Sequence, residues 1–422
     1  MRDWTTMLTT VVRKARPPSP LAGRLSVQSF LYALGDGTFM AGSAVFFTAI
    51  VGLRPTDVGV GLTVAGIASF LAAIPAGRAV DRFGPKRMWA LAATTQASLF
   101  LLWPFIHGFG EYVAMAVCME VAGMLGQAAH GAYTIDVLPL DERVRSRAYM
   151  YSALNAGFTV GSGLGLIALA ADSDDLLMVV PWFTAAVFAV NAVCILRLPN
   201  ASHDVSTIRD ERPANVQPSP LRNPGWMLTS FFAGTLWTNQ VVLSFVIPLW
   251  VVSATDAPRE ILAILFATNT IMCIALPMLA ARGIKDIPTA LRALRFSAAC
   301  FVLSCLVTML THHTVGLLTI VAMFAAHVIL TGAELFLSAS NWSLEAELMD
   351  PRQRGAYQGA QELGGTLGHV WAPALYTFLA LSWGEQGWLV IGAIIVAATI
   401  GLHYSVPMAS RFLVRHGLDP HT

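Results

Sequence analysis

Between residues 26 and 408 the chain alternates long apolar runs with short charged connections, and no other feature constrains its fold so tightly. About 20 apolar residues is the length of α-helix that crosses the hydrocarbon of a bilayer. In lipid every backbone N–H and C=O must be satisfied within the protein, and runs this long satisfy theirs as helices. Twelve spans are expected, at approximately 26–51, 56–77, 88–107, 111–137, 149–171, 176–197, 225–252, 259–281, 291–311, 314–338, 356–380 and 387–408. The chain is 55% hydrophobic and 12% charged, with a mean hydropathy of +0.62, too apolar for a soluble protein of 422 residues. The expected class is an all-α integral membrane protein.

The charges carry the orientation. Of 26 Lys and Arg residues, 24 fall on one side of the alternation, and only Arg54 and Arg259 on the other. Basic residues are retained on the cytoplasmic side of a membrane, so both termini are expected there, around an even number of helices in the plasma membrane. The net charge is +1 and the basic residues are spread through loops, which gives no surface for nucleic acid. All five cysteines lie inside apolar runs without metal-ligand spacing, so neither a disulfide, a metal site nor a cofactor is expected. The first 25 residues hold a Pro17-Pro18-Ser19-Pro20 break and no apolar core of a signal peptide, so no cleavage is expected.

The only long hydrophilic stretch inside the chain, 198–224, carries Pro199, Pro213, Pro218, Pro220 and Pro224 among polar residues and reads as a linker. A partner-binding segment is the alternative. The organisation is then a cytoplasmic segment (1–25), a six-helix half (26–197), the linker (198–224), a second six-helix half (225–408) and a tail (409–422). The halves echo one another. A shift of 207 residues places Arg145, Arg147, Asn155, Gly157 and Gly161 on Arg352, Arg354, Glu362, Gly364 and Gly368, as an internal duplication would.

Between the second and third runs lies Gly77-Arg78-Ala79-Val80-Asp81-Arg82-Phe83-Gly84-Pro85-Lys86-Arg87. Gly77 permits close helix approach, Gly84-Pro85 makes the turn, and Arg82, Lys86 and Arg87 hold the loop at an anionic surface. Asp81, at a helix end, suits the positive N-terminus of another helix. The stretch resembles the signature loop of the major facilitator superfamily, G-x-x-x-D-R-x-G-x-(K/R)-(K/R), with Gly77, Asp81, Arg82, Gly84, Lys86 and Arg87 on the matching positions. The resemblance implies 12 transmembrane helices in two halves and transport by alternating access. It also implies a contact between Asp81 and the start of helix 11 that latches the outward-facing state. A purely topogenic basic turn is the alternative. The counterpart in the second half, Arg282-Gly283-Ile284-Lys285-Asp286, is degenerate, an asymmetry that also resembles the family.

A charge inside a span costs about 2.5 to 3.5 kcal/mol on insertion scales, so it normally faces a cavity or a partner. The candidates inside the spans are Asp36, Glu120, His327, Glu334, Glu362 and His369. Asp36 sits about 10 residues from the cytoplasmic end of its run, near 15 Å deep. Its flanking Gly35 and Gly37 leave room for water or substrate, and a carboxylate so placed can exchange a proton with either side; a structural polar clasp is the alternative. Glu120, in Glu120-Val-Ala-Gly123-Met-Leu-Gly126, stands where many relatives in the superfamily carry an Arg, so the sign is reversed. It offers either a second acidic group facing helix 1 or an intrahelical bond. Glu362 is expected to line the cavity or pack. Glu334, one turn from a helix end, is expected to snorkel or to meet Arg352 or Arg354. His327 and His369 lie near the midplane, as packing residues or proton relays.

Helix 5 carries Gly157, Gly161 and Gly165, similar to the G-x-x-x-G-P-x-x-G motif of exporters, with Ser162 where proline belongs; such spacing also packs helices in any membrane protein. Phe39, Phe158, Trp237, Asn239 and Gln240 fall on helices 1, 5 and 7 and suit a bulky, partly apolar substrate, or packing. The expected function is proton-coupled efflux of a small amphipathic organic molecule by a monomer, with the substrate, protons and the lipid bilayer as its partners. A nutrient importer or uniporter on the same fold is the alternative. A multispanning enzyme or a sensor ranks below both, since the His and Glu residues are scattered in depth instead of forming a catalytic constellation. With no Lys or Arg at the centre of the spans, phosphate and carboxylate substrates are disfavoured.

Overall fold

The computed structural model describes residues 17–171, 173–200 and 218–417, and of residue 369 the backbone only. The expected linker at 198–224 and both terminal segments therefore fall partly outside the described residues. In chain order the elements are α1 (Pro20–Ile50, its last turn a π-helix from Phe46), α2 (Pro55–Phe83), α3 (Pro85–Leu102), α4 (Phe109–Val137), α5 (Arg143–Ala170) and α6 (Asp174–Leu196). After the linker come α7 (Pro224–Ala254), α8 (Ile261–Ala275, extended by a turn at Pro277–Ala280), α9 (Ile287–Leu310), α10 (Leu317–Leu348), α11 (Arg354–Ser382) and α12 (Glu385–Arg415).

Local chemistry starts and stops these helices. Proline opens α1, α2, α3 and α7, where a missing N–H costs nothing. The Ser19 hydroxyl and the Asn223 amide oxygen accept the first backbone N–H groups of α1 and α7. Gly84, at φ +93°, makes the one-residue turn from α2 to α3. α7 breaks at Trp237-Thr238 before resuming at Asn239.

Among the described residues nine helices are long and apolar enough to cross a membrane, and α8 is a shorter apolar helix. Large apolar side chains face outward, with Ile67 56% and Leu71 69% exposed, which is the surface of a protein solvated by lipid and not by water. The helices run past several expected ends. α10 extends to 348 instead of 338, α2 to 83 instead of 77 and α12 to 415 instead of 408, while α5 begins at 143 instead of 149.

With lipid outside, close helix contact depends on small residues. A side chain at Gly157, Gly161 or Gly165 of α5 would strike the carbonyl oxygen of Phe30, Leu34 or Thr38 of α1, one turn per step on both helices. The second half repeats the device: Gly364 and Gly368 of α11 back onto the carbonyls of Ser230 and Gly234 of α7. Glycines also seat the two sets of six helices against each other, Gly77 on the backbone of Gly355 and Gly359 on the carbonyl of Ala73. The largest buried core, with Trp226, Trp250, Tyr376 and Trp388, belongs to α7–α12 but takes in Ile135, Val144 and Ala148 of α4 and α5.

Candidate functional site

The strongest polar contacts between α1–α6 and α7–α12 gather at the face that carries the 78–87 loop, called the loop face below. Asp81, near the end of α2, accepts from the backbone N–H of Gly355 at 2.7 Å and of Ala356 at 2.9 Å, the first turn of α11. The positive end of a helix and two orphan donors thus meet one carboxylate. The basic residues of the loop make contacts elsewhere. Lys86 Nζ donates to the carbonyl of Leu198, Arg82 lies over the Phe83 ring at 5.3 Å, and Arg87 is exposed.

Two buried ion pairs flank the latch. Arg147 of α5 pairs with Glu345 of α10, and Arg354 of α11 pairs with Asp136 of α4. The two arginines are one of the two arginine pairs related by the shift of 207 residues, and their acidic partners lie in the last turns of α10 and α4. Arg147 also donates to Thr134 Oγ1 at 3.1 Å, and Gln361 Nε2 donates to Glu345 Oε1 at 2.6 Å. Glu345 and Asp136 were not singled out from sequence; the hydropathy of α10 ends before Glu345, and the repeated arginines were the available signal.

Deeper lies Glu334, and here the expectation fails. Because α10 runs on to Leu348, Glu334 is about four turns from its end. It is 4% exposed and meets neither Arg352 nor Arg354 among its hydrogen-bond partners. Its carboxyl accepts from the Tyr151 hydroxyl of α5 at 2.5 Å and from Asn269 Nδ2 of α8 at 3.1 Å, with Cys273 Sγ at 3.5 Å. Two of these partners belong to its own half and Tyr151 to the other, and none of the three is a cation.

Asp36 is half-buried on α1, 16 residues from the helix start at Pro20, or about 24 Å along it, because the helix begins earlier than expected. It and Tyr32 lie within electrostatic range of Glu120. Glu120 is exposed and shares its face of α4 with Gly131, eleven residues on, which abuts the Gln358 side chain of α11. Glu362, half-buried, is one turn beyond Gln358 on α11. Glu120 and Glu362 therefore occupy the faces that meet at Gly131 and Gln358.

Several expected cavity groups lie elsewhere. Gly35 and Gly37 leave no room for water: a side chain there would strike Phe188 of α6 and the Phe158 carbonyl of α5, so these glycines pack helices. Phe39 is not a cavity residue. Its ring packs among Phe46, Phe47, Phe100 and Trp103, with centroids 5.0 to 6.1 Å away. His327 is buried beside the Leu265 backbone of α8. The side chain of His369 lies outside the described residues. Phe158, Trp237 and Gln240 are half-buried, and Asn239, at the break in α7, is 1% exposed with neither end of its amide hydrogen-bonded. Among the described residues no group of His, Cys, Asp or Glu side chains could hold a metal ion.

The model of the Major Facilitator Superfamily matches residues 25–373. Multidrug resistance protein 2 of Bacillus subtilis (strain 168) is 31% identical over 123 residues, 28% of this chain and 30% of that protein. Multidrug resistance protein 1 of the same organism is 28% identical over 168 residues, 38% of this chain and 41% of that protein. The matched stretches thus span less than half of these relatives. The crystal structure of a bacterial homologue of the iron transporter ferroportin in an outward-facing state superposes with a TM-score of 0.71 at 12% identity, covering 92% of this chain and 99% of that one, a likeness of fold.

Proposed function

The chain belongs to the major facilitator superfamily and is a multi-pass membrane transporter, not an enzyme; on that premise we propose that it exports a small amphipathic organic molecule in exchange for protons. In this reading α1–α12 all cross the plasma membrane as two six-helix halves, the loop face and both termini are cytoplasmic, and the latched conformation is the outward-facing one. Alternating access follows from rocking the halves about the space between them.

The observation that carries the proposal is the set of carboxylates. Asp36, Glu120 and Glu362 lie on or beside the inner faces of α1, α4 and α11, and the sequence places no Lys or Arg at the centre of the spans to neutralise them. Groups that gain and lose protons as the halves rock couple transport to a proton gradient. An acidic, aromatic cavity without fixed cations favours uncharged or amphipathic cargo over phosphates and carboxylates. Asn239, buried and unpartnered in a broken helix, is a ready hydrogen-bonding group for that cargo. The names of the two Bacillus relatives favour export over import.

The test is uptake of amphipathic antibiotics and dyes into inside-out vesicles under an imposed pH gradient. The native chain should accumulate at least one of them, and Asp36→Asn should lose gradient-driven accumulation while still binding it. Accumulation by the variant that still follows the gradient removes Asp36 as coupling group; silence across the panel from folded protein removes the efflux reading.

A further inference from the structure

The signature loop and its degenerate counterpart differ in what they do with their carboxylate. In the first half Asp81 bridges the end of α2 to the start of α11. The equivalent junction in the second half lies between the end of α8 and the start of α5. Its acid, Asp286, instead caps its own helix, accepting from the Thr289 backbone N–H at 3.0 Å with the Thr289 hydroxyl beside it. These bonds hold the Asp286 carboxyl below the usual carboxylate range, the Thr289 hydroxyl contributing most. The one-residue turn at Gly84 is replaced by six residues, 281–286, so the carboxylate is carried past the junction.

The junction is not closed by protein. A cavity of about 620 Å³ occupies it, lined by Asp141, Val144 and Arg145 from the start of α5 and its approach, and by Arg282, Gly283 and Lys285 from the 281–286 connection. Arg145, which also bonds to Tyr149, and Asp141 line one wall, and Arg282 and Lys285 line the other across the boundary between the two halves, so three cations share the cavity with one carboxylate. Arg145, Arg282 and Lys285 are exposed at the loop face, where the basic residues of the chain collect.

We propose that this cavity binds a phosphate-bearing anion, which occupies in the second half the place that Asp81 fills in the first and ties α5 to the 281–286 connection while the loop face is closed. The chemistry is that of a phosphate ester or monoanion: a compact anion matched by guanidinium forks and an ammonium. An anionic phospholipid headgroup and a soluble phosphate both carry it, and the position at a basic membrane face suits the lipid. Opening the loop face separates the two walls, so the anion favours the closed state by its differential affinity. This holds whatever molecule is transported.

Hydrogen–deuterium exchange of the full chain in nanodiscs tests the site. Discs of phosphatidylcholine alone are compared with discs containing 30 mol% phosphatidylglycerol, and with phosphatidylcholine discs in about 10 mM inorganic phosphate. Phosphatidylglycerol should slow exchange in 140–147 and 281–286 by about fivefold or more, a typical coupling between sites. The Arg282→Gln/Lys285→Gln variant should lose that difference, and the charge-keeping Arg282→Lys/Lys285→Arg variant should retain it, which separates a lost site from a misfolded loop. Protection by phosphatidylglycerol alone assigns a headgroup, and protection by inorganic phosphate as well assigns phosphate anions in general; both support the site. No protection by either anion, or protection undiminished in the neutral variant, overturns it.

Discussion

The Tyr151 hydroxyl of α5 donates to Glu334 Oε1 of α10 at 2.5 Å, joining the first six helices to the last six through a carboxyl that Asn269 of α8 also holds. Tyr151→Phe keeps the ring, which packs edge-on against Trp342, and removes only the cross-half bond. A hydrogen bond of this kind contributes about 1 to 3 kcal/mol, so the closed loop-face population should fall about five- to 150-fold relative to the open one. Spin-label distances across the loop face read this directly. A distribution identical to that of the native chain would make the bond incidental to gating.

Asp81→Ala leaves the N–H groups of Gly355 and Ala356 without their acceptor and removes a charge from a helix N-terminus. Unsatisfied donors cost about 1 to 3 kcal/mol each when they remain buried, and opening the loop face hydrates them. The variant should therefore shift toward the open state with little loss of thermal stability. Asp81→Asn retains one acceptor oxygen and should lie between. Native-like distances in Asp81→Ala would leave the loop as a topological signal only.

Two classes of glycine should respond differently to a single methyl. Gly161 sits on the Leu34 carbonyl within one half, so Gly161→Ala forces α1 from α5 and should cost about 1 to 3 kcal/mol of stability. Gly77 sits on the backbone of Gly355 between the halves, where rocking apart relieves the clash. Gly77→Ala should thus leave the thermal midpoint within a few degrees and move the conformational equilibrium. Equal loss of stability in both variants would mean that the halves do not move independently.

Period and residue type made much of this architecture legible. The all-helical class, the helices at the apolar runs and the Asp81 loop were carried by local pattern, and the glycines of α5 repeat at helical spacing because they pack against one helix. The contacts between the halves were less visible. Glu345 and Asp136 lie in polar helical turns beyond or at the edge of the apolar runs, where hydropathy no longer distinguishes helix from loop. The role of Gly35 and Gly37 depends on whether Phe188 and the Phe158 carbonyl fill the space beside them, which no property of Gly-Asp-Gly reveals. Phe39 faced the wrong way for the same reason. An aromatic on α1 suits a cavity or a core equally, and its neighbours on α3 decide.

The buried pair of Arg147 and Glu345 offers the sharpest test of how the closed face is held. Their side chains are 9% and 11% exposed, so each charge has surrendered most of its hydration. Removing one partner strands the other, at a cost of about 3 to 5 kcal/mol if the face stays closed. Arg147→Met and Glu345→Leu should each lower the thermal midpoint or open the loop face. The double variant, with no charge left to desolvate, should be milder than the sum by about 1 to 3 kcal/mol. The secondary partners sharpen the expectation. Arg147→Met also strips Thr134 of a donor, and Glu345→Leu strips Gln361 of an acceptor, so the double variant should remain less stable than the native chain. Midpoints and loop-face distances measured together separate the two routes of response. Strictly additive single effects would show that the two charges do not sense each other, and that the closed face is held by its other contacts: the Asp81 latch, the Arg354–Asp136 pair, the Tyr151–Glu334 bond and the glycines.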